Sequence, residues 1–152
     1  MTGRKRELIE LEDRAWAEFR SILARLSNEQ IALIGYYEDW SVKDLMAHLG
    51  SWMAEAARVL EQLRNGTYTS WDHDVDELNR EWWETWREVD LETVWVELHS
   101  SRARMLDEWD GQGSDRLSDV ADLWFRESAH EHHAEHLPRL REWAAELTAD
   151  PG

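Results

Sequence analysis

Residues 41–66 read SVKDLMAHLGSWMAEAARVLEQLRNG, and this stretch decides the fold. Ser41 followed three residues later by Asp44 has the form of a capping box. Its hydroxyl can serve the orphan amides of a first helical turn, and a carboxylate at that end is favoured by the helix dipole. Val42, Leu45, His48, Leu49, Trp52, Ala56, Val59 and Leu63 then recur at three- and four-residue intervals, the period of one helical face. Asn65-Gly66 supplies the stop. The stretch therefore predicts an amphipathic helix from Ser41 to about Arg64, with His48 about two turns inside its apolar stripe.

The same period extends outward in both directions. Leu8, Leu11, Ala15, Phe19, Ile22, Leu23 and Leu26 make one stripe from about Lys5 to Leu26, with charges opposite, and predict a first helix. Val75, Leu78, Trp82, Trp86 and Val89 keep helical spacing from about Val75 to Val89. Asp90 can cap a further segment carrying Leu91, Val94, Trp95, Leu98, Arg102, Met105, Leu106 and Trp109, so the two pieces are one bent helix or two. Beyond Gly111-Gln112-Gly113, Ser118 or Asp119 can cap a last helix with Val120, Leu123, Trp124, Ser128, His132, His136, Leu140, Trp143 and Leu147 on one face. Pro138 predicts a kink in it, because the ring deletes one backbone bond, crowds the preceding turn and leaves the carbonyl of Ala134 without its usual partner. The expected architecture is all-α: a four-helix bundle with an elaborated connection between its second and fourth helices, in one domain spanning residues 1–152.

Composition narrows the chemistry. Seventeen basic against thirty-three acidic side chains give a formal charge of -16, which opposes phosphate backbones and anionic lipid surfaces, so neither nucleic acid nor a membrane is an expected partner. The amino-terminal residues carry no apolar run of export-signal or membrane-span length, which predicts a cytoplasmic protein. There is no cysteine, so any metal must be held by nitrogen and oxygen. Eleven tryptophans bring large apolar area and one N–H donor each, which suits a core, a cavity rim or a subunit contact. Trp82-Trp83-Glu84-Thr85-Trp86 cannot bury all its rings on one side, since neighbouring positions diverge by about 100°. One or more of these rings is expected at a dimer contact or a ligand cavity, or buried between layers by a bent helix.

His48, His132 and His136 are the candidate metal ligands. A spacing of four turns the chain by about 400°, so His132 and His136 leave the same face about 6 Å apart, within reach of one ion. His48 would close the triangle from a neighbouring helix. Three neutral imidazoles leave open coordination positions and suit zinc, nickel or iron. The alternatives are a hydrogen-bonded core role for His48, and a hydrophilic face or other metal pairs among His130, His132, His133 and His136. His132 and His136 are preferred because they share the face of Trp124, Ser128, Leu140 and Trp143, whereas His133 projects about 100° away. Glu55 and Glu131 could join the site or lie on the surface. The chain has no phosphate loop, no nucleophile elbow and no His-Glu-x-x-His zinc-protease motif.

The segment Trp40-Ser41-Val42-Lys43-Asp44-Leu45-Met46-Ala47-His48-Leu49 resembles the opening of the second helix in the DinB-like superfamily. That superfamily includes the YfiT-like proteins and the N-terminal domain of mycothiol-dependent maleylpyruvate isomerase. Glu131-His132-His133-Ala134-Glu135-His136-Leu137-Pro138 is similar to the last-helix ligand motif of the same proteins, and Asp74-Val75-Asp76-Glu77-Leu78-Asn79 resembles the start of their third helix. The resemblance spans about residues 5 to 147. It implies a four-helix bundle of DinB/YfiT-like type, often homodimeric, with a divalent metal held in a cleft. The family's ligands fall on His48, His132 and His136. The chain departs from many members where Leu137-Pro138-Arg139 stands in place of Arg-Gly-Gln, and residues 1–152 are not expected to hold a counterpart of the isomerase's additional domain.

The resulting expectation is a divalent-metal-dependent enzyme of small-molecule thiol chemistry, a thiol S-transferase or an isomerase-like detoxification enzyme. Its cofactors would be zinc or nickel and a low-molecular-weight thiol such as mycothiol or bacillithiol. Trp52, Trp82, Trp86 and Trp124 would shape the wall around a small-molecule substrate. The other readings are a non-catalytic ligand-binding or stress-response bundle and a metal-dependent hydrolase that needs no thiol.

Overall fold

The computed structural model describes residues 3–113 and 117–149, and among them every regular element is a helix. They are α1 (Gly3–Leu23), α2 (Asn28–Ile31), α3 (Val42–Asn65), α4 (Val75–Trp86), α5 (Leu91–Asp110), α6 (Asp119–Ser128) and α7 (His130–Thr148). No described helix is long and apolar enough to cross a membrane.

The ends of α3 form as their residues dictate. Ser41 Oγ accepts from the Asp44 amide at 3.1 Å while the Asp44 carboxylate accepts from the Ser41 amide at 2.9 Å, and Gly66 closes the other end at φ 73°. Asp74, Asp90 and Ser118 cap α4, α5 and α6 by accepting from the amides of Glu77, Thr93 and Ala121, so the segment from Val75 to Trp109 is two helices with their own caps. One short helix, α2, was not anticipated. It is a single turn held by a Ser27/Gln30 capping box.

Two parallel pairs of helices make the body. α3 and α5 run side by side in the same direction: Lys43 Nζ donates to the carbonyls of Arg87 and Val89 at one end, and Arg64 pairs with Glu108 at the other. Midway, a Cβ placed on Gly50 would sit 3.4 Å from the Leu98 Cα, so the missing side chain lets these backbones approach closely. α1 likewise runs parallel to α6 and α7, with Arg4 on Asp122 near the start and Arg141 paired to Glu18 further along. The pairs oppose each other, since Lys5 of α1 meets the end of α5, its Nζ donating to the carbonyls of Asp110 and Gln112. Met46, Leu49, Met53, Leu60, Met105, Trp109 and Phe125 fill the space between, with Trp109 and Phe125 stacked at 4.4 Å.

The last helical stretch is interrupted at Ala129, ahead of Pro138. Pro138 lies inside α7 at an exposed position, and Ala134, whose carbonyl it leaves without a helical partner, is an exposed residue too. The break falls at Ala129 (φ −107°, ψ −113°), which separates α6 from α7 although its amide still bonds Phe125 and its carbonyl still accepts from His133. Ala129 is fully buried, and its small side chain lets the joint sit within the core. The joint re-aims α7 one turn before His132.

Candidate functional site

α3 and α7 cross so that three imidazoles meet. His48 Nε2 lies 3.0 Å from His132 Nε2, and His136 Nε2 lies 3.2 Å from the same atom. One ligand atom from each ring falls within 4.8 Å of the others. The structure thus brings together all three histidines singled out in the sequence. The arrangement is poor as a set of hydrogen bonds: a neutral imidazole nitrogen either donates one proton or offers one lone pair, so His132 Nε2 can satisfy one neighbour and not both. As a donor set for a cation, the two close pairs at 3.0 and 3.2 Å are consistent. Ligands about 2.0–2.1 Å from a tetrahedral zinc are separated by about 3.3 Å.

Residues behind the cluster fix its rings. Tyr36 Oη lies 3.4 Å from His136 Nδ1, and burial pushes this phenol up to about 12, so it keeps its proton. With Nε2 of His136 turned to the cluster, the phenol is placed to accept from Nδ1–H, the outer-shell contact that sets a ligand's tautomer. Arg139, one turn beyond His136, holds the Tyr36 loop by donating to the carbonyls of Tyr36 at 2.6 Å and Gly35 at 3.3 Å. Gly35 is at φ +127°, with the Trp143 ring 2.9 Å from where a Cβ would stand. Trp40 meets the His48 ring edge-on at 5.3 Å.

The three rings are held uncharged. Burial pushes His132 down to about 2 and His48 to about 3, with the neighbouring histidines adding to both, and burial also lowers His136 against the opposing pull of Glu135. Neutral imidazole is the ligating form, so no proton has to leave at neutral pH. The same shifts set a stability profile. Unfolding returns these rings to about 6.5, so below that pH the unfolded chain binds protons that the folded chain refuses. Metal-free protein is expected to hold full stability above pH 6.5 and lose it on acidification, by about 2 kcal/mol each for His48 and His132 at pH 5. Urea melts at pH 7.5 and 5 read this directly, and a flat profile would contradict it.

The cluster forms the floor of a cleft of about 650 Å³ between α3, α4 and α6–α7, which His48 and the buried His132 line. Trp52, Trp71 and Trp124 form one wall, their centroids 5.1 to 6.4 Å apart. Two of these indoles are tethered, Trp52 Nε1 donating to Asn79 Oδ1 and Trp71 Nε1 to Glu55 Oε1, both at 2.8 Å. Of the tryptophans expected at the wall, Trp52 and Trp124 line this cleft. Trp82 stands behind Trp52, edge-on at 4.9 Å, and with Trp86 it lines a second cavity of about 360 Å³ between α3, α4 and α5. Trp71, in the segment before α4, was missed because nothing periodic surrounds it. Trp82, Trp83 and Trp86 are each half-buried, Trp83 by the Arg87 guanidinium stacked on it at 4.4 Å. Glu131 borders the His cleft, while Glu55 borders the second cavity and is paired with Arg58.

His133 faces the other way. It is buried against Trp16 and Phe19 of α1, its Nε2 3.2 Å from the fully buried Glu12, whose other oxygen accepts from Arg102 Nε at 2.6 Å. The His133–Glu12 contact is not aligned as a hydrogen bond, so among the described residues Glu12 Oε2 and both His133 nitrogens stay unpartnered. His133 thus anchors α7 to α1 and takes no part in the imidazole cluster.

Over residues 13–132 the chain matches the family described as mycothiol maleylpyruvate isomerase N-terminal domain. No curated protein matches it. Its fold is similar to that of a crystal structure of an uncharacterised protein from Escherichia coli UTI89, with a TM-score of 0.80 at 18% identity over 96% of this chain and 95% of the other.

Proposed function

Since the chain belongs to the mycothiol maleylpyruvate isomerase N-terminal domain family, a DinB/YfiT-like family, we propose that it is a divalent-metal-dependent enzyme joining a small-molecule thiol to an electrophile. The observation that carries this reading is the meeting of the His48, His132 and His136 Nε2 atoms at the base of an aromatic cleft. Those three residues would hold the ion, zinc or nickel by donor type. A bound ion there supplies Lewis acidity, lowering the pKa of a thiol and so raising its nucleophilic fraction at neutral pH.

The protein's own groups do the rest. Tyr36 and Arg139 hold the His136 ring and tautomer, and Trp40 packs the His48 ring. Trp52, Trp71 and Trp124 offer flat apolar surface that orients a substrate over the floor and keeps water from part of it. Mycothiol and bacillithiol are the thiols proposed. On the same reading the helices make a four-helix bundle in a single domain, acting in the cytoplasm on a small molecule as a homodimer, without nucleic acid or membrane.

The test is a conjugation assay with a chelator-stripped sample reloaded with zinc or nickel, a low-molecular-weight thiol and a haloalkyl fluorophore as electrophile. Turnover that needs both the ion and the thiol is expected, and its absence with every pairing would overturn the reading. Metal-dependent loss of an ester substrate without added thiol would replace it with a hydrolase.

A further inference from the structure

The charge around the cleft selects a class of substrate. Glu127, Glu131 and Glu135 border it, and no described lysine or arginine does. Glu131 is partly neutralised by Arg126, whose Nε lies 3.3 Å away, whereas Glu127 and Glu135 make no ion pair among the described residues. Glu131 and Glu135 stand four residues apart on α7 and so share one side of that helix, and Glu127 borders the cleft from the end of α6. Trp52, Trp71 and Trp124 line the same cleft, and their π-faces attract cations while their flat area suits a planar or pyranose ring. Wall and carboxylates therefore favour the same charge within one cleft.

Resting on the assignment of this cleft as the substrate site, we infer that it takes an amine-bearing or uncharged molecule with a flat apolar face and discriminates against one that carries a carboxylate. The floor receives the soft, reacting end, and the ammonium or hydroxyl-bearing end lies between the tryptophans and the glutamates. A dicarboxylate would place its charge against Glu127 and Glu135 with no cationic side chain to receive it, a cost that excludes it by repulsion as well as by missing contacts.

Two probes of one size separate these classes: phenethylamine and 3-phenylpropionate. Each is titrated into metal-free protein, so that the carboxylate gains nothing by ligating an ion, and binding is read by tryptophan fluorescence and the indole N–H resonances of Trp52 and Trp71. The ammonium probe is expected to bind at least about tenfold more tightly. Glu127→Gln/Glu135→Gln should narrow that gap several-fold, while Glu10→Gln/Glu29→Gln, which removes the same charge from exposed positions off the cleft, should leave it. The control matters because a chain of net charge -16 attracts any cation weakly. Equal affinities, tighter binding of the carboxylate, no binding of either probe, or equal effects of the two double variants would overturn the inference. Absence of thiol-dependent turnover would overturn the proposed function and leave this preference standing.

Discussion

His132→Ala is expected to abolish stoichiometric metal binding while leaving a folded protein. His132 Nε2 is the atom that both other imidazoles approach, at 3.0 and 3.2 Å, so its removal dismantles the donor set rather than thinning it. Loss of an outer-shell partner lowers metal affinity by about 10–100-fold, and a direct ligand should exceed that range. The expected fall is therefore more than about a hundredfold, measured by competition against a chromophoric chelator, with no bound zinc or nickel after dialysis. The metal-free fold should change little. The side chain borders a cleft that water can enter, and one crowded imidazole is relieved, so a shift in unfolding free energy below about 1 kcal/mol is expected. An affinity loss within a hundredfold would make His132 a supporting residue and not a ligand.

Glu12→Ala is expected to show the opposite pattern. Glu12 is fully buried on α1, bonded to Arg102 of α5 and facing His133 of α7, so one carboxylate ties three helices. Its loss leaves Arg102 with the exposed Asp13 as its one carboxylate among the described residues, and breaking one side of a buried pair costs about 3–5 kcal/mol. Because Asp13 remains, the lower end, about 3 kcal/mol, is expected from urea denaturation at pH 7.5. Metal affinity of the folded variant should stay within a few-fold of the parent, since Glu12 touches His133 and none of the clustered rings. A stability change below 1 kcal/mol, or a lost metal site in a folded variant, would contradict this division between the two faces of α7.

The part of this arrangement legible in the sequence was the part decided locally. Ser41, Asp44 and Gly66 cap α3 through contacts within four residues, so its limits and the register of His48 follow from the residues themselves. The His132/His136 pair is likewise one helical turn, and the resemblance of both segments to a known family supplied the third vertex. What was not legible depends on helices meeting. Tyr36 reaches His136 from 100 residues away, out of a loop positioned by Arg139, and no local pattern marks it. Ala129 breaks a stretch that is helix-forming on both sides, because the bend is set by its buried place between α6 and α7. Trp82 and Trp86 share helical spacing with each other, but the direction in which α4 lies across α3 puts them behind Trp52 and brings Trp71 to the cleft instead. His133 diverges from the ligand face as the 100° rule requires. Its burial against Glu12 could be read only once α1 was seen beside α7.

The central claim is that imidazoles from α3 and α7 share one ion. X-ray absorption at the metal edge of zinc-loaded protein tests it most directly, since imidazole rings give distinctive multiple scattering. The account predicts three imidazole nitrogens at about 2.0–2.1 Å, with the remaining position or positions filled by oxygen donors. A spectrum requiring one imidazole or none, or a protein that retains no zinc after dialysis at neutral pH, would contradict it.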